Sequence, residues 1–235
     1  MRLLLAVLLF AACLSHPCQA RPGEDAQVSI LHNSSVQVEK ASLTRIESIS
    51  RRAAVKVITS SGYGSGTYVA IGRMRAVFTA AHVVRDIEWV RISYDGKLAE
   101  ARVVYRDHEN DFAVLTSETI QDKTPVRLRP YDGDISGLIG ERINYSGYPN
   151  RHALLTIRGS IAGIDDGCII LQSYAWMGSS GSGVFDELGR FIGIVTGVDL
   201  GSFRDSLSVV ESIVWITPLR NIDMEKVKES LRDAQ

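Results

Sequence analysis

Residues 178–185 read Gly178-Ser179-Ser180-Gly181-Ser182-Gly183-Val184-Phe185, a run of small residues passing into an apolar segment. Glycine adopts backbone conformations that other residues avoid, so glycines around a serine let neighbouring N–H groups turn toward one point. The apolar end predicts a short strand at 183–186. Taken alone, the same composition also makes a flexible serine/glycine loop, so its meaning depends on its surroundings. Strand signals follow at 191–198 and 209–217 and precede it at 139–146, 153–164 and 168–173. Turns fall between them at Gly147-Tyr148-Pro149, Asp165-Asp166-Gly167 and Glu187-Leu188-Gly189.

Further toward the N-terminus lies a second series, at 53–59, 64–71, 76–79, 89–94, 97–105 and 112–115. Asp95-Gly96 between two of these is a strong hairpin signal, because both residues tolerate positive φ. Many short strands at even spacing predict an all-β chain built of closed barrels or sandwiches. Residues 116–137 carry Pro125, Pro130, Asp132-Gly133 and Gly137 and read as the connection between two strand domains. A short helix is expected at 42–52 with Ser42 as its cap. A second is expected at 218–235, with Ile222, Val227 and Leu231 on one face to pack on a barrel. No internal repeat or low-complexity tract is apparent.

The 235 residues carry a net charge of −1, with 45% hydrophobic and 23% charged residues. That composition excludes a disordered chain. Near-zero charge argues against coating nucleic acid or an acidic membrane by bulk electrostatics. No apolar run reaches the length of about 18 residues that a membrane-spanning helix needs. The longest, residues 3–14, stands behind Arg2 and reads as a secretory signal with cleavage after Ala20. Lipoprotein processing at Cys13 ranks second. The expected destination is the periplasm or the exterior, and residues 21–41 form a polar leader. Export would leave Cys168 as the one cysteine, so no internal disulfide is expected. Its apolar setting, Cys168-Ile169-Ile170-Leu171, marks it as a strand residue rather than a reactive thiol.

Three positions carry chemistry. His82 stands in Val77-Phe78-Thr79-Ala80-Ala81-His82-Val83-Val84, at a strand end among small and apolar residues. His32, His108 and His152 lie in polar surroundings that suit solvated surface histidines. Asp111 opens the apolar strand Phe112-Ala113-Val114-Leu115, where a charge is costly without a partner. Ser180 lies in the glycine-rich run. Each has a bland explanation of its own: a core histidine, a strand cap, a flexible loop. No His-Glu-x-x-His, cysteine pair or phosphate loop is present, and Gly62-Tyr63-Gly64-Ser65-Gly66 lacks the spacing of a dinucleotide site.

In the order histidine, aspartate, serine, the segments Thr79-Ala80-Ala81-His82, Asp111-Phe112-Ala113-Val114-Leu115 and Gly178-Ser179-Ser180-Gly181-Ser182 resemble the trypsin-like (chymotrypsin-fold) serine proteases. The likeness is nearest to small bacterial members of the HtrA-like or glutamyl-endopeptidase-like type. Gly64-Ser65-Gly66 and Ile192-Gly193-Ile194 also fit, and the resemblance runs from about residue 53 to 217. Subtilisin-like enzymes and α/β-hydrolases use other orders, and Ser182 breaks the Gly-x-Ser-x-Gly elbow.

The resemblance implies two antiparallel Greek-key β-barrels, at 53–125 and 126–217, with a C-terminal helix. It implies an endopeptidase in which Ser180 attacks, His82 carries the proton and Asp111 orients the imidazole. The N–H groups of Gly178 and Ser180 would form the oxyanion hole. Tyr174, Met177, Thr196, Gly197 and Val198 would line the substrate pocket, and a protein or peptide would be the substrate. Tyr174 at the pocket base, not an aspartate, gives no support to cleavage after Arg or Lys. The chain around 196–198 would pair with substrate backbone as an added strand. No metal or organic cofactor is implied. Ser179 stands where the family usually has Asp or Asn, so activation by a newly cut N-terminus is not expected. The rival to an enzyme is a silent protease-like binding module, lipid-anchored at Cys13 if that residue is processed.

Overall fold

The computed structural model describes residues 42–234, apart from residues 121, 204 and 205. The expected signal, its Cys13 alternative and the leader, with His32, lie outside the described residues. Helix α1 (Arg45–Ala53) leads into β1 (Ala54–Thr59), β2 (Gly62–Ile71) and β3 (Met74–Thr79). A single helical turn, α2 (Ala81–Val84), precedes β4 (Trp89–Tyr94), β5 (Lys97–Asp107) and β6 (Phe112–Thr116). After the short β7 (Val126–Arg127) come β8 (Arg142–Gly147), β9 (Leu155–Asp165), β10 (Cys168–Gln172), β11 (Gly183–Asp186), β12 (Phe191–Phe203) and β13 (Ser206–Pro218). Helix α3 (Met224–Asp233) closes the series.

The strands form two closed six-stranded antiparallel barrels. The first runs β1-β4-β5-β6-β3-β2 and closes through β1–β2; the second runs β8-β11-β12-β13-β10-β9 and closes through β9–β8. Numbered within each barrel, both orders are the same, and each contains the fourth-beside-first arrangement of a Greek key. The fold therefore repeats where the sequence does not. The two-residue β7 lies parallel to β2 on the first sheet, inside the stretch expected as a bare connection. The second barrel thus begins at β8, not at residue 126.

Alternation along the strands fills each barrel from within. Val55, Val57, Val77, Ile92, Ala101 and Leu115 fill the first, and Tyr145, Ile161, Ile169, Leu171, Val214 and Ile216 the second. A third cluster lies where the barrels meet. Its aromatic rings pack edge to face in a chain: Phe112 to Phe78 at 5.0 Å, Phe78 to Phe191 at 5.9 Å and Phe191 to Phe185 at 5.2 Å.

The helices strap the halves together. Thr44, rather than the expected Ser42, caps α1, because the capping box needs Glu47 three residues on. Thr44 N–H donates to Glu47 Oε2 at 2.7 Å and Glu47 N–H to Thr44 Oγ1 at 3.2 Å. Although α1 leads into barrel one, its polar contacts are to barrel two: Ser50 Oγ donates to Ser146 Oγ, and Arg158 donates to Glu47. Conversely, α3 follows barrel two and packs against β5 of barrel one. Val227 and Leu231 are buried on α3 as expected, whereas Ile222, also buried, lies before the helix and not on its face. The helix starts later than expected. Pro218 still belongs to β13, and Asp223 Oδ1 provides the cap by accepting from Glu225 and Lys226 N–H at 3.1 Å each.

Glu47 is 2% exposed. Hydrogen bonds from the Arg158 guanidinium lower its carboxyl from the usual 4.5 to about 2, helped by Thr44 N–H and opposed by burial. A depressed folded-state value stabilises the fold above pH 4.5, and the contribution fades as pH falls toward 2. The Glu47→Gln variant is expected to lose about 1–2 kcal/mol at neutral pH, since Arg158 itself is largely solvated. Urea unfolding from pH 7 down to 2 should show the gap between variant and wild type closing below about pH 4.5. A gap independent of pH would refute this account.

Candidate active site

His82 lies on the single turn α2 between the third and fourth strands of barrel one, not at a strand end as the sequence suggested. Its side chain is about half exposed, less desolvated than its apolar neighbours implied. Asp111 grips it twice. His82 N–H donates to Asp111 Oδ1 at 2.8 Å, and His82 Nδ1 lies 2.7 Å from Oδ2. The Asp111 carbonyl also accepts from Ala81 N–H at 3.1 Å. Asp111 takes φ 48, a left-handed conformation that aspartate tolerates better than most residues. The turn before it is fixed by Asp107, whose carboxylate accepts from Asn110 N–H and Nδ2. The Asn110 carbonyl in turn accepts from Thr217 Oγ1 of barrel two at 2.8 Å.

Ser180 lies in the matching connection of barrel two, between its third and fourth strands. Burial separates the three serines of this loop. Ser182 is fully enclosed, and its hydroxyl makes no hydrogen bond. Ser179 is 1% exposed and accepts from Trp176 N–H at 3.2 Å, closing the loop locally. Only Ser180 opens onto the surface, where it lines two clefts. One, of about 210 Å³, also holds His82, Gly178, Tyr63 and Arg85. The other, of about 120 Å³, is walled by Ala175, Trp176, Met177, Val195 and Val198. Among the described residues, no hydrogen bond joins Ser180 Oγ to His82. Contacts of this kind tighten as substrate enters.

The loop geometry depends on glycine. Gly178 has φ +98, and a Cβ there would lie 2.4 Å from Tyr148 O and 2.6 Å from the Tyr63 ring. Gly181 has φ +89, and its Cβ would lie 2.1 Å from Ser65 O. Within the loop, Ser179 N–H donates to Trp176 O, Gly181 N–H to Val195 O and Ser182 N–H to Ser179 O. The N–H groups of Gly178 and Ser180 have no acceptor among the described residues.

Of the expected pocket residues, Met177, Gly197 and Val198 line the smaller cleft; Tyr174 and Thr196 do not. The Tyr174 main-chain carbonyl accepts from Tyr145 Oη, and its side chain is partly exposed. The Thr196 hydroxyl donates to Trp215 O at 3.2 Å. Ala175, Trp176 and Val195 take their places, and ordinary apolar residues carry no signal in a sequence. Pairing of β12 with β11 ends at Ile194; Gly197 and Val198 pair with β13, and their other edge has no strand partner among the described residues. Cys168 stays apart on β10, its thiol pushed up by burial with Asp166 and Asp165 adding to the shift.

Ser65 was not singled out from the sequence, yet it ties the loop to barrel one. Its N–H donates to Ser180 O at 2.8 Å and its Oγ to Gly178 O at 2.6 Å. The same Oγ accepts from Tyr148 N–H at 2.9 Å, and Ser65 O accepts from Thr79 Oγ1 at 2.7 Å.

Two such barrels, meeting at a cleft with histidine and carboxylate on one side and a serine loop on the other, have the architecture of the chymotrypsin-like proteases. The sequence model of the trypsin-like peptidase domain matches residues 64–194, more than half of the chain, and the chain belongs to that family. It is 27% identical over 192 residues to proteins named "Serine protease HtrA-like" from two strains of Staphylococcus epidermidis. The match covers 72% of this chain but only 30% of those relatives. Among solved structures, the serine endoprotease of Yersinia pestis superposes with a TM-score of 0.62 at 21% identity, covering 81% of this chain and 66% of that one. The inactive form of Rv3671c from M. tuberculosis superposes at 0.61 and 18% identity, covering 78% of this chain and 89% of that one. At those identities the likeness is one of fold.

Removing the Ser65 hydroxyl strands a buried carbonyl and a buried N–H at once. Ser65→Ala is expected to cost about 1–3 kcal/mol, measured by thermal or urea unfolding. A variant as stable as wild type would show that this hydroxyl does not tie the barrels.

Proposed function

We propose that the chain is an exported serine endopeptidase working through His82, Asp111 and Ser180. One observation supports this most: a single cleft is lined by His82, gripped at ring and main chain by Asp111, together with Ser180 and Gly178, whose N–H groups have no acceptor among the described residues. Ser180 Oγ attacks the scissile carbonyl carbon as its proton passes to His82 Nε2. Asp111 fixes the tautomer and stabilises the imidazolium. The N–H groups of Gly178 and Ser180 receive the oxyanion. The C–N bond then breaks, and His82 returns the proton to the departing amine. Water, deprotonated by His82, releases the acyl group and regenerates Ser180.

The smaller cleft suits the side chain before the scissile bond. Its walls are apolar and its volume is about 120 Å³. That favours small apolar residues over Arg, Lys or Glu, whose charge would find no partner there. The open edge at 196–198 would receive the substrate backbone.

The test is cleavage of a peptide library and labelling by a fluorophosphonate probe. Wild type should cleave and be labelled, and Ser180→Ala should lose at least about 1,000-fold in turnover and all labelling. Asp111→Asn should keep its fold yet fall by about 10,000-fold. Equal activity in wild type and Ser180→Ala would end the proposal, and a folded wild type that neither cleaves nor labels would favour a binding module. Export rests on the Arg2-led apolar run. The secreted form is expected to begin at Arg21, which N-terminal sequencing checks; retention of residues 1–20 would overturn it.

A further inference from the structure

The two clefts beside Ser180 differ in chemistry. The smaller is lined by uncharged groups throughout. Among the residues lining the larger, Arg85 is the one with a permanent charge. His82 lines the larger cleft and not the smaller. Because the histidine returns the proton to the departing amine, its cleft is the one that takes the residues after the scissile bond.

Arg85 is exposed, and its guanidinium has no ion pair or hydrogen bond among the described residues. Its backbone is anchored: Arg85 N–H donates to Ala81 O at 2.7 Å and ends the turn that carries His82. The charge is therefore rooted three residues from the histidine while its head is free. A second cation stands behind the same wall, where Lys56 Nζ lies 4.0 Å from the centre of the Tyr63 ring. On the opposite sign, Asp111 has both oxygens committed to His82, and Asp86 does not line the cleft.

We infer that Arg85 selects substrates carrying Asp or Glu within the first three residues after the scissile bond. This rests on the protease reading above and specifies the leaving side of its substrate. An unpaired guanidinium at a partly enclosed cleft attracts a carboxylate and repels lysine, so discrimination between the two is larger than attraction alone gives. Lys56 adds to the field without needing contact.

The experiment uses fluorescent peptides identical up to the scissile bond and differing after it, with Glu, Ala or Lys at the second or third position. Wild type should favour Glu over Lys by about tenfold in kcat/KM, the ratio shrinking as salt rises. Arg85→Ala should bring the ratio close to one. Arg85→Glu should invert it in favour of Lys, a result that a misfolded variant cannot give. A wild-type ratio near one, or a ratio unchanged in both variants, overturns the inference while the protease reading stands. If wild type cleaves none of the peptides and Ser180 takes no fluorophosphonate, the protease reading fails and the inference falls with it.

Discussion

Ser65 is the point at which two independent barrels become one site. A barrel closes on itself and satisfies its own backbone, so two of them have no intrinsic reason to hold a fixed orientation. The aromatic chain from Phe112 to Phe185 supplies attraction, but apolar contact is non-directional. Direction comes from hydrogen bonds that cross between the barrels: three made by Ser65, with Gly183 N–H to Thr67 Oγ1 and Thr217 Oγ1 to Asn110 O adding to them. They fix Ser180 and Gly178 relative to β2 and β3, and so relative to the turn that carries His82. The flanking glycines make the approach possible. A Cβ on Gly64 would lie 2.6 Å from Val83 and 3.1 Å from Ser180 O, and one on Gly66 2.7 Å from Val77.

The shared strand order gives the placement of the site a structural logic. His82 and Ser180 both occupy the connection from third to fourth strand, and these two connections face each other across the cleft. What differs is how each is held. In barrel one the connection winds into a helical turn gripped by a carboxylate. In barrel two it is a loop in which Gly178 and Gly181 take positive φ, and the N–H groups of Gly178 and Ser180 find no acceptor among the described residues. One half thus presents an imidazole and the other a hydroxyl beside unpaired donors, from the same topology.

Strand existence was legible because burial imposes a period of two, and Asp95-Gly96 pinned its hairpin with both residues at positive φ. The candidate site residues could be picked out because histidine, aspartate and glycine-flanked serine, each ordinary by itself, follow one another in the order of a known family. What escaped has physical reasons. The single turn α2 is too short to carry a periodic signal, and Ser42 and Thr44 are equal caps until Glu47 is seen to answer only one. β12 and β13 run further than expected because their outer halves pair mainly with each other and need no continuous apolar face. The resemblance alone put Tyr174 at the pocket base, and the residues that line the smaller cleft beside it, Ala175 and Trp176, carry no distinctive signal. Gly64-Ser65-Gly66 fitted the family pattern, but the role of Ser65 was not legible, since a serine between glycines reads the same whether it ties two barrels or merely turns.

The double grip of Asp111 bears on how this site can be open and ordered together. A carboxylate that met only the imidazole would orient the ring but leave its position to the backbone. Here Oδ1 holds the main chain of His82 while Oδ2 faces its ring, so position and orientation share one constraint. The pair is substantially exposed, with His82 49% and Asp111 30% accessible, and water screens it at rest. Substrate in the cleft would displace that water and strengthen the pairing when charge develops on the imidazole. Near-zero net charge fits this arrangement: with little net charge to steer a ligand, selection by the proposed enzyme would rest on groups inside the cleft, where displacement of water would make each count for more.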